Sequence, residues 1–273
     1  METTKQNPWQ RALSLYGRIW QYIAGFENWP TCLWLRYTIG RPSGARALVR
    51  LRNGLRFNVR VGTPDICILW EVFFGGAYRS AEDIVRDAQA GAVVFDLGGN
   101  IGAFALRMAN EVPPIHVRSY EPGPQNASIF RENLDLNPQL RSRITLIEEA
   151  VSSASGTAQW RFDSENPGGS SLYGSGEAVT VKTRSIQEIL RTCDSSIALL
   201  KIDIEGAEFD LLQGAVASDW RTVPAVYVEF HLDPSGRSTP AEWLHTMRSF
   251  GFVRHERQFS TILLQRENEH TSN

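Results

Sequence analysis

The sequence is poor in cysteine and lacks any long apolar run. Its 273 residues include three cysteines, which are widely separated and odd in number: Cys32, Cys67 and Cys193. That pattern argues against a disulfide framework or a zinc site and fits a reducing compartment. No apolar run approaches the roughly 18 residues of a membrane-spanning helix, and no N-terminal signal peptide is visible. These absences predict a cytoplasmic protein.

Internal repeats and low-complexity segments are absent too, and the composition is that of a globular chain. Hydrophobic residues make up 42 % of the sequence, which excludes a disordered protein. A chain of this length can form one large domain that carries an extension. We place the predicted boundary so that residues 1–62 form the extension and residues 63–273 form the main domain.

Acidic residues are scarce near the N-terminus. Residues 1–60 hold ten Lys or Arg but only Glu2 and Glu27, whereas the remainder holds 18 basic and 28 acidic residues. Such asymmetry indicates an anionic partner for the extension, or a basic face that packs against an acidic body. The two interpretations are left open at this stage.

The extension is rich in aromatic residues. Four of the eight tryptophans precede residue 35, and helical spacing of Leu13, Tyr16, Trp20 and Ile23 predicts a helix within residues 9–26. An aromatic helix that carries arginines suits the headgroup region of a membrane, which would make the protein peripheral at that surface. It equally suits docking on the main domain, or a subunit contact in a homo-oligomer.

A hairpin is predicted over residues 46–61, around Asn53 and Gly54. A three-residue loop of Arg52, Asn53 and Gly54 pairs apolar with apolar side chains, whereas a two-residue turn mixes polar and apolar ones. The predicted pairs are Leu51 with Leu55, Val49 with Phe57 and Ala47 with Val59. The opposite face would then collect four arginines: Arg46, Arg50, Arg56 and Arg60.

The segment 93–102 reads as a buried strand that ends at Asp96, a glycine-rich turn, and the start of a helix. Such a turn lets a nucleotide cofactor approach the backbone at a helix N-terminus. The spacing is D-x-G-x-N-x-G, so the G-x-G-x-x-G pattern of a nicotinamide dehydrogenase is not met. A second strand ends at Glu121, where open α/β folds place an acid that accepts hydrogen bonds from ribose hydroxyls.

Strands and helices alternate through the rest of the chain, which predicts a mostly parallel sheet with helices on both faces. A final hairpin near residues 252–265 would add an antiparallel edge. Two later strands end in groups that carry chemistry. Alternation places Lys201, Asp203 and Glu205 on one face of the first strand. It places Tyr227, Glu229 and His231 on one face of the second.

These segments, taken in order over residues 70–232, resemble the FkbM family of S-adenosylmethionine (SAM)-dependent methyltransferases. The motifs that carry the resemblance lie at 94–102, 120–122, 133–137, 150–152, 201–208 and 228–231, the most specific being K-I-D-I-E-G-A-E at 201–208. The resemblance implies an α/β fold of class I, with a Rossmann-like, seven-stranded mixed sheet to which the helix and hairpin extension is added. It also implies methyl transfer from SAM, usually to a hydroxyl oxygen of a sugar, glycolipid or secondary metabolite.

The resemblance also implies roles for individual residues. Asp96, Gly98, Asn100 and Gly102 would surround the methionine part of SAM, Glu121 would hold the ribose, and Asp203 and Glu205 would lie near the transferred methyl group. The same motifs add three residues to the predicted cofactor site: Gly99, Pro122 and Ala150. Departures from the family pattern at 152–153 and 183–185 leave the adenine contacts open.

For catalysis, the enzyme must align an acceptor oxygen with the methyl group and remove its proton. His231 is the predicted general base because an ordinary imidazole titrates near neutrality, and Asp203 is the alternative. A divalent metal ion held by Asp203, Glu229 and His231 is a further option, since it would lower the pKa of the hydroxyl. The loop 166–171 is interpreted as a lid or as a plain flexible connection.

The leading hypothesis is an O-methyltransferase for a small-molecule, sugar or lipid-linked acceptor. The alternative is a binding or assembly module that keeps the SAM fold without turnover. A nucleic-acid methyltransferase is disfavoured because neither a recognition module nor an N-P-P-Y-type amine site occurs, so nucleic acid is not an expected partner.

Overall fold

The computed structural model of the chain describes residues 8–111, 114–162, 177–231, 239–258 and 260–266. The extension forms two helices, α1 (Pro8–Gly25) and α2 (Trp29–Tyr37), followed by a hairpin of β1 (Arg46–Arg50) and β2 (Arg56–Arg60). Val49 lies opposite Phe57, and the Leu51 N–H donates to the Leu55 carbonyl at 2.9 Å. The predicted register and three-residue loop are therefore confirmed.

The main sheet has seven strands, as predicted. Two helices precede it, α3 (Asp65–Phe74) and α4 (Arg79–Arg86). Its strands are β3 (Val93–Leu97), β4 (His116–Tyr120), β5 (Ile144–Ile147), β9 (Ile197–Ile202), β10 (Ala225–Glu229), β11 (Phe252–Gln258) and β12 (Thr261–Arg266). Their order is β11-β12-β10-β9-β3-β4-β5, and β12 runs antiparallel to both of its neighbours. The mixed α/β fold class is confirmed, including the antiparallel hairpin at the edge.

The remaining elements connect these strands or form a separate, smaller sheet. The helices are α5 (Ala103–Glu111), α6 (Pro124–Asp135), α7 (Ile186–Arg191) and α8 (Pro240–Ser249). A separate three-stranded sheet contains β6 (Ala150–Ser152), β7 (Gly156–Phe162) and β8 (Glu177–Ser185), with β8 in the middle. The predicted lid at 166–171 lies outside the described residues.

Alternate residues of the central strands pack into different cores. Val94 of β3 belongs to one buried cluster, whereas Val93 and Phe95 belong to another. Leu199 and Leu200 of β9 divide in the same way. Strands buried on both faces read as continuous apolar runs, which explains why these segments show no polar alternation in the sequence.

The extension shares the first core with the main domain. Phe26 and Phe57 are fully buried in the same cluster as Leu69 and Phe130. Two buried asparagines of the α6 region, Asn133 and Asn137, accept hydrogen bonds from β2 backbone N–H groups at 2.7 and 3.1 Å. The edge strand of the hairpin is thereby fixed to the main domain by side-chain amides.

Three of the four arginines on the opposite face of the hairpin are paired with carboxylates. Arg60 pairs with the buried Asp65 at 2.7 Å, while Arg46 and Arg50 approach Glu132 and Glu27 at 3.4 and 3.6 Å. This face therefore packs in part against acidic groups, as the second interpretation of the charge asymmetry predicts. In the described ranges, no helix is long and apolar enough to cross a membrane.

Candidate active site

The glycine loop after β3 packs against the backbone that follows β9 so closely that no side chain fits between them. Gly98 has φ +87°, and a Cβ built on it would lie 1.7 Å from the carbonyl oxygen of Asp203. Asn100 also has a positive φ, of 48°, a conformation that asparagine tolerates better than most residues. The N–H groups of Gly98 and Gly99 both donate to the Tyr120 carbonyl, at 3.0 and 2.9 Å. The loop is thus fixed between β4 and β9.

A buried ion pair lies beneath this loop. The Lys201 ammonium donates to Asp96 at 3.0 Å and to the Gly98 carbonyl at 3.1 Å, and it lies 3.3 Å from Asp203. Ser119 donates to the other Asp96 oxygen at 2.7 Å. Asp96 has no solvent exposure and lines neither cleft described below. Its contacts therefore hold the loop and Asp203 in place through Lys201.

Glu121 is buried at the end of β4. It accepts hydrogen bonds from the backbone N–H groups of Asn100 and Gly123, at 2.7 and 2.8 Å. Burial raises the pKa of Glu121 to about 7, although these hydrogen bonds act in the opposite direction. The carboxyl group thus connects the glycine loop to the start of α6 and also lines the cleft.

The first cleft encloses about 540 Å³ and we call it the cofactor cleft. Six of the predicted cofactor residues line it: Gly98, Asn100, Glu121, Pro122, Ala150 and Asp203. Two buried polar atoms along this cleft, Trp160 Nε1 and Asn100 Oδ1, lack a hydrogen-bond partner among the described residues. A bound nucleoside would supply such partners, so the residues present fit SAM.

His231 is surrounded by carboxylates at the end of β10. Its Nδ1 donates to the fully buried Glu208 at 2.9 Å, and its Nε2 lies 3.5 Å from Glu205 and 3.9 Å from Asp203. Glu208 also accepts from the N–H groups of Ile204 and Gly206. The K-I-D-I-E-G-A-E motif therefore folds around one buried carboxylate, which orients the imidazole.

The charges in this cluster change the expected titration of the histidine. Burial by itself lowers the pKa of His231, but the hydrogen bond to Glu208 and the negative charges of Glu205 and Asp203 raise it to about 9. Burial raises the pKa of Glu205 to about 7. The prediction of His231 as general base assumes an imidazole pKa near neutrality. That assumption is wrong here, because the pKa of His231 is about 9.

The predicted metal ligand set also needs correction. Asp203, Glu205 and His231 each offer a ligand atom, and these atoms lie within 4.8 Å of one another. Glu229 is not a member of this group within the described ranges and instead accepts a hydrogen bond from Ser260 at 2.9 Å. Carboxylate oxygens and an imidazole nitrogen thus converge at Asp203, Glu205 and His231, while Glu208 holds the second ring nitrogen.

A second cleft of about 880 Å³ lies on the other side of this junction, and we call it the acceptor cleft. It shares four residues with the cofactor cleft: Gly98, Asn100, Asp203 and Glu205. Glu71, Tyr78, Glu229 and His231 are among its other lining residues. The two clefts therefore meet beside Asp203 and Glu205.

The structure brings together most of the predicted site residues. Gly102 has a packing role. A Cβ at this position would lie 2.4 Å from the Phe130 ring, so no larger residue fits there. Gly99 lines the acceptor cleft rather than the cofactor cleft. The sequence does not predict that Trp160 and Glu71 line the clefts. No local pattern distinguishes a Trp in a strand or a Glu in a helix that lines a cleft from one that does not.

The seven-stranded mixed sheet and the cleft beside its glycine loop fit the methyltransferase fold that the motifs imply. Residues 96–254 match the model of the methyltransferase FkbM domain, and the chain belongs to that family. The family resemblance of the sequence motifs is thereby confirmed.

The chain is similar to methyltransferase sdnD of Sordaria araneosa, with 28 % identity over 212 residues covering 64 % of this chain and 81 % of that protein. It is also similar to the 31-O-demethyl-FK506 methyltransferase FkbM of Streptomyces tacrolimicus, with 26 % identity over 61 % of this chain and 75 % of the relative. Among solved structures, methyltransferase FkbM from Methylobacillus flagellatus matches 72 % of this chain and 47 % of its own, with 20 % identity and a TM-score of 0.46.

Proposed function

We propose that the protein transfers the methyl group of SAM to a hydroxyl oxygen of a small molecule, a sugar or a lipid-linked acceptor. The observation that supports this most directly is the junction of the two clefts at Asp203 and Glu205, beside His231. SAM supplies an electrophilic methyl group when bound. The chain's own contribution is to orient the hydroxyl and to accept its proton.

Asp203 is the proposed proton acceptor. At neutral pH the imidazole of His231 is largely protonated, because its pKa is about 9. It therefore acts as a fixed cation that holds Asp203 and Glu205 in position, rather than as a base. Asp203 keeps about a quarter of its side chain exposed at the junction, so a hydroxyl in the acceptor cleft can reach its carboxylate.

The acceptor cleft favours neutral acceptors over anionic ones at the reacting end. Glu71, Asp203, Glu205 and Glu229 all line it, and Lys201 is already paired with Asp96 and Asp203. A phosphate placed among these carboxylates would be repelled, whereas hydroxyl groups can donate to them. A polyhydroxylated acceptor suits this lining, and a lipid-linked acceptor would place its phosphate outside the cleft. The name of the Streptomyces tacrolimicus relative, a 31-O-demethyl methyltransferase, supports an oxygen acceptor.

The experiment is mass spectrometry of products formed from labelled SAM with a panel of neutral polyhydroxylated molecules, glycosides and lipid-linked sugars. Asp203→Asn should lower turnover about 10²–10⁴-fold, the usual contribution of general base catalysis. Its affinity for SAM should stay within about threefold of wild type, and Asp87→Asn, an exposed control that lines neither cleft, should leave both unchanged. Wild-type turnover in Asp203→Asn would contradict the proposed proton transfer.

Two alternatives give different results in the same assay. Turnover that disappears on exhaustive chelation and returns with a divalent cation would favour a metal ion on Asp203, Glu205 and His231, which would act by lowering the hydroxyl pKa. SAM binding with no product from any acceptor class would favour the binding or assembly module.

A further inference from the structure

The large exposed apolar side chains of the described residues are concentrated in the extension. Tyr16, Trp20, Trp34 and Tyr37 are 70, 59, 51 and 77 % exposed, and we call these four the aromatic face. All four lie on α1 or α2. Groups of exposed apolar side chains on a protein surface often mark an interaction site.

The end of α1 is anchored while its middle is exposed. Tyr22 and Phe26 are buried, their rings stack at 5.4 Å, and Phe26 contacts the Phe74 ring edge-on at 5.0 Å. Residues 16–20 are all exposed. Tyr16 and Trp20 are four positions apart and so share one side of the helix. Nothing in the described part of the chain covers this side.

Positive charge lies next to the aromatic face. Arg18 and Arg36 form no ion pair within the described ranges, unlike Arg46, Arg50 and Arg60 of the hairpin. Arg18 lies between Tyr16 and Trp20 along α1, and Arg36 lies between Trp34 and Tyr37 along α2. Each exposed pair of rings therefore has an arginine within its own stretch of helix.

Helix α3 contacts both the extension and the acceptor cleft. Helix α3 packs against α1, where the Trp70 indole donates to Gln21 at 3.1 Å. Cys67 and Glu71 of the same helix line the acceptor cleft. The extension therefore packs against a helix that forms part of the wall of this cleft.

We propose that the aromatic face docks on an anionic lipid surface, with Arg18 and Arg36 contacting lipid phosphates. The exposed rings are Trp and Tyr, which combine an apolar body with a polar tip and are enriched at the headgroup level of membranes. Arg18 and Arg36, which form no ion pair within the described ranges, complement the negative charge of such a surface. This binding is independent of the methyl-transfer reaction and is tested without it.

The test is sedimentation of the full-length protein with vesicles of phosphatidylcholine alone, or of phosphatidylcholine and phosphatidylglycerol in equal parts, at low salt. We expect binding to the mixed vesicles that weakens as salt is added. Each basic residue near an anionic surface contributes about 1 kcal/mol, so R18Q with R36Q should reduce the partition coefficient roughly 30-fold. The double variant W20A and Y37A should reduce it at least about tenfold.

Two matched controls separate this proposal from a general effect of charge or apolarity. Arg221→Gln removes a positive charge from an exposed turn of the main domain, and Val216→Ala shortens an exposed apolar side chain there; both should bind vesicles as wild type does. Equal, weak sedimentation of the wild type with both vesicle types would overturn the proposal. So would a dimer in multi-angle light scattering that W20A with Y37A dissociates without any change in vesicle binding, since the face would then be a subunit contact.

Discussion

Glu208 determines the chemistry of the site without lining either cleft. Its carboxylate lies between backbone N–H groups of its own turn and Nδ1 of His231. The hydrogen bond to Glu208 is the largest of the contributions that raise the pKa of His231. Glu208 is therefore a positioning residue, acting on the substrate through the imidazole and the two carboxylates that the imidazole faces.

Replacing Glu208 by Gln should lower the pKa of His231 from about 9, because the neutral amide no longer stabilises the imidazolium. NMR titration of the imidazole checks this directly. Turnover should fall about 10–100-fold with little change in the Michaelis constant for SAM, as is usual for groups that orient a reactive residue. Glu188→Gln, an exposed residue of α7, is the control. An unchanged His231 titration would show that the hydrogen bond does not control the imidazole.

Glu121 is the residue whose loss should most affect cofactor affinity. Its carboxyl group holds the Asn100 and Gly123 backbones and lines the cofactor cleft. Glu121→Gln should weaken SAM binding roughly 10–100-fold, the scale of one or two charged hydrogen bonds. Isothermal titration calorimetry measures it, with the half-exposed Glu148→Gln as control. Normal affinity in Glu121→Gln would remove this residue from the cofactor site.

At the scale of elements, the position of the loop between β3 and α5 depends on Gly98, which has no side chain. Gly98→Ala places a Cβ 1.7 Å from the Asp203 carbonyl, so β9 and the loop must separate. Gly54→Ala in the hairpin loop is the matched control, because it shares a positive φ of 91° but meets no atom within 4 Å. Gly54→Ala should cost about 1 kcal/mol of unfolding free energy and leave SAM affinity unchanged.

Gly98→Ala should lose more stability than that and reduce SAM affinity at least about tenfold, measured by urea unfolding and calorimetry. The comparison isolates the backbone clash from the strain of a left-handed alanine. Equal effects of the two substitutions on SAM affinity would mean that the close approach of β9 and the glycine loop is not required.

The sequence predicts elements of this fold best where the signal is local. The hairpin register follows from alternating apolar residues, and the strand ends follow from Asp96 and Glu121. The β2 clamp formed by Asn133 and Asn137 was not predictable, because it joins side chains to a backbone about 75 residues earlier. The same limit applies to Glu205, which lies beyond the end of β9 in a turn with φ +54° rather than in a strand.

At the scale of the whole molecule, the extension and the main domain share a hydrophobic core in the described residues. Phe26, Leu51 and Phe57 pack in one cluster with Ile66 and Leu69, across the predicted boundary at 62. The sequence shows that the extension is basic, but not which of its arginines pair within the chain. Three of the four hairpin arginines pair with carboxylates of the chain, whereas Arg18 and Arg36 form no ion pair in the described ranges and lie among the residues of the aromatic face. Only three-dimensional contacts separate internal charges from those available to a partner.

Stability of the whole protein should depend on pH through Glu121. Its pKa is about 7 in the folded state and 4.5 in an unfolded chain, so the folded protein holds this proton more tightly. The contribution of Glu121 to the unfolding free energy is therefore retained below about pH 4.5. It declines as pH rises towards 7, by about 3 kcal/mol in total.

Because other carboxylates titrate in the same range, the measurable quantity is the difference between wild type and Glu121→Gln. Urea unfolding without SAM, at pH values from about 4.5 to about 8, should show the wild type losing about 3 kcal/mol more than the variant, which has no proton to release. The same series with Glu148→Gln, at a half-exposed carboxylate, should run parallel to wild type. If the curves of wild type and Glu121→Gln are also parallel, the Glu121 carboxyl is ionised throughout, and its hydrogen bonds to Asn100 and Gly123 outweigh the cost of burial.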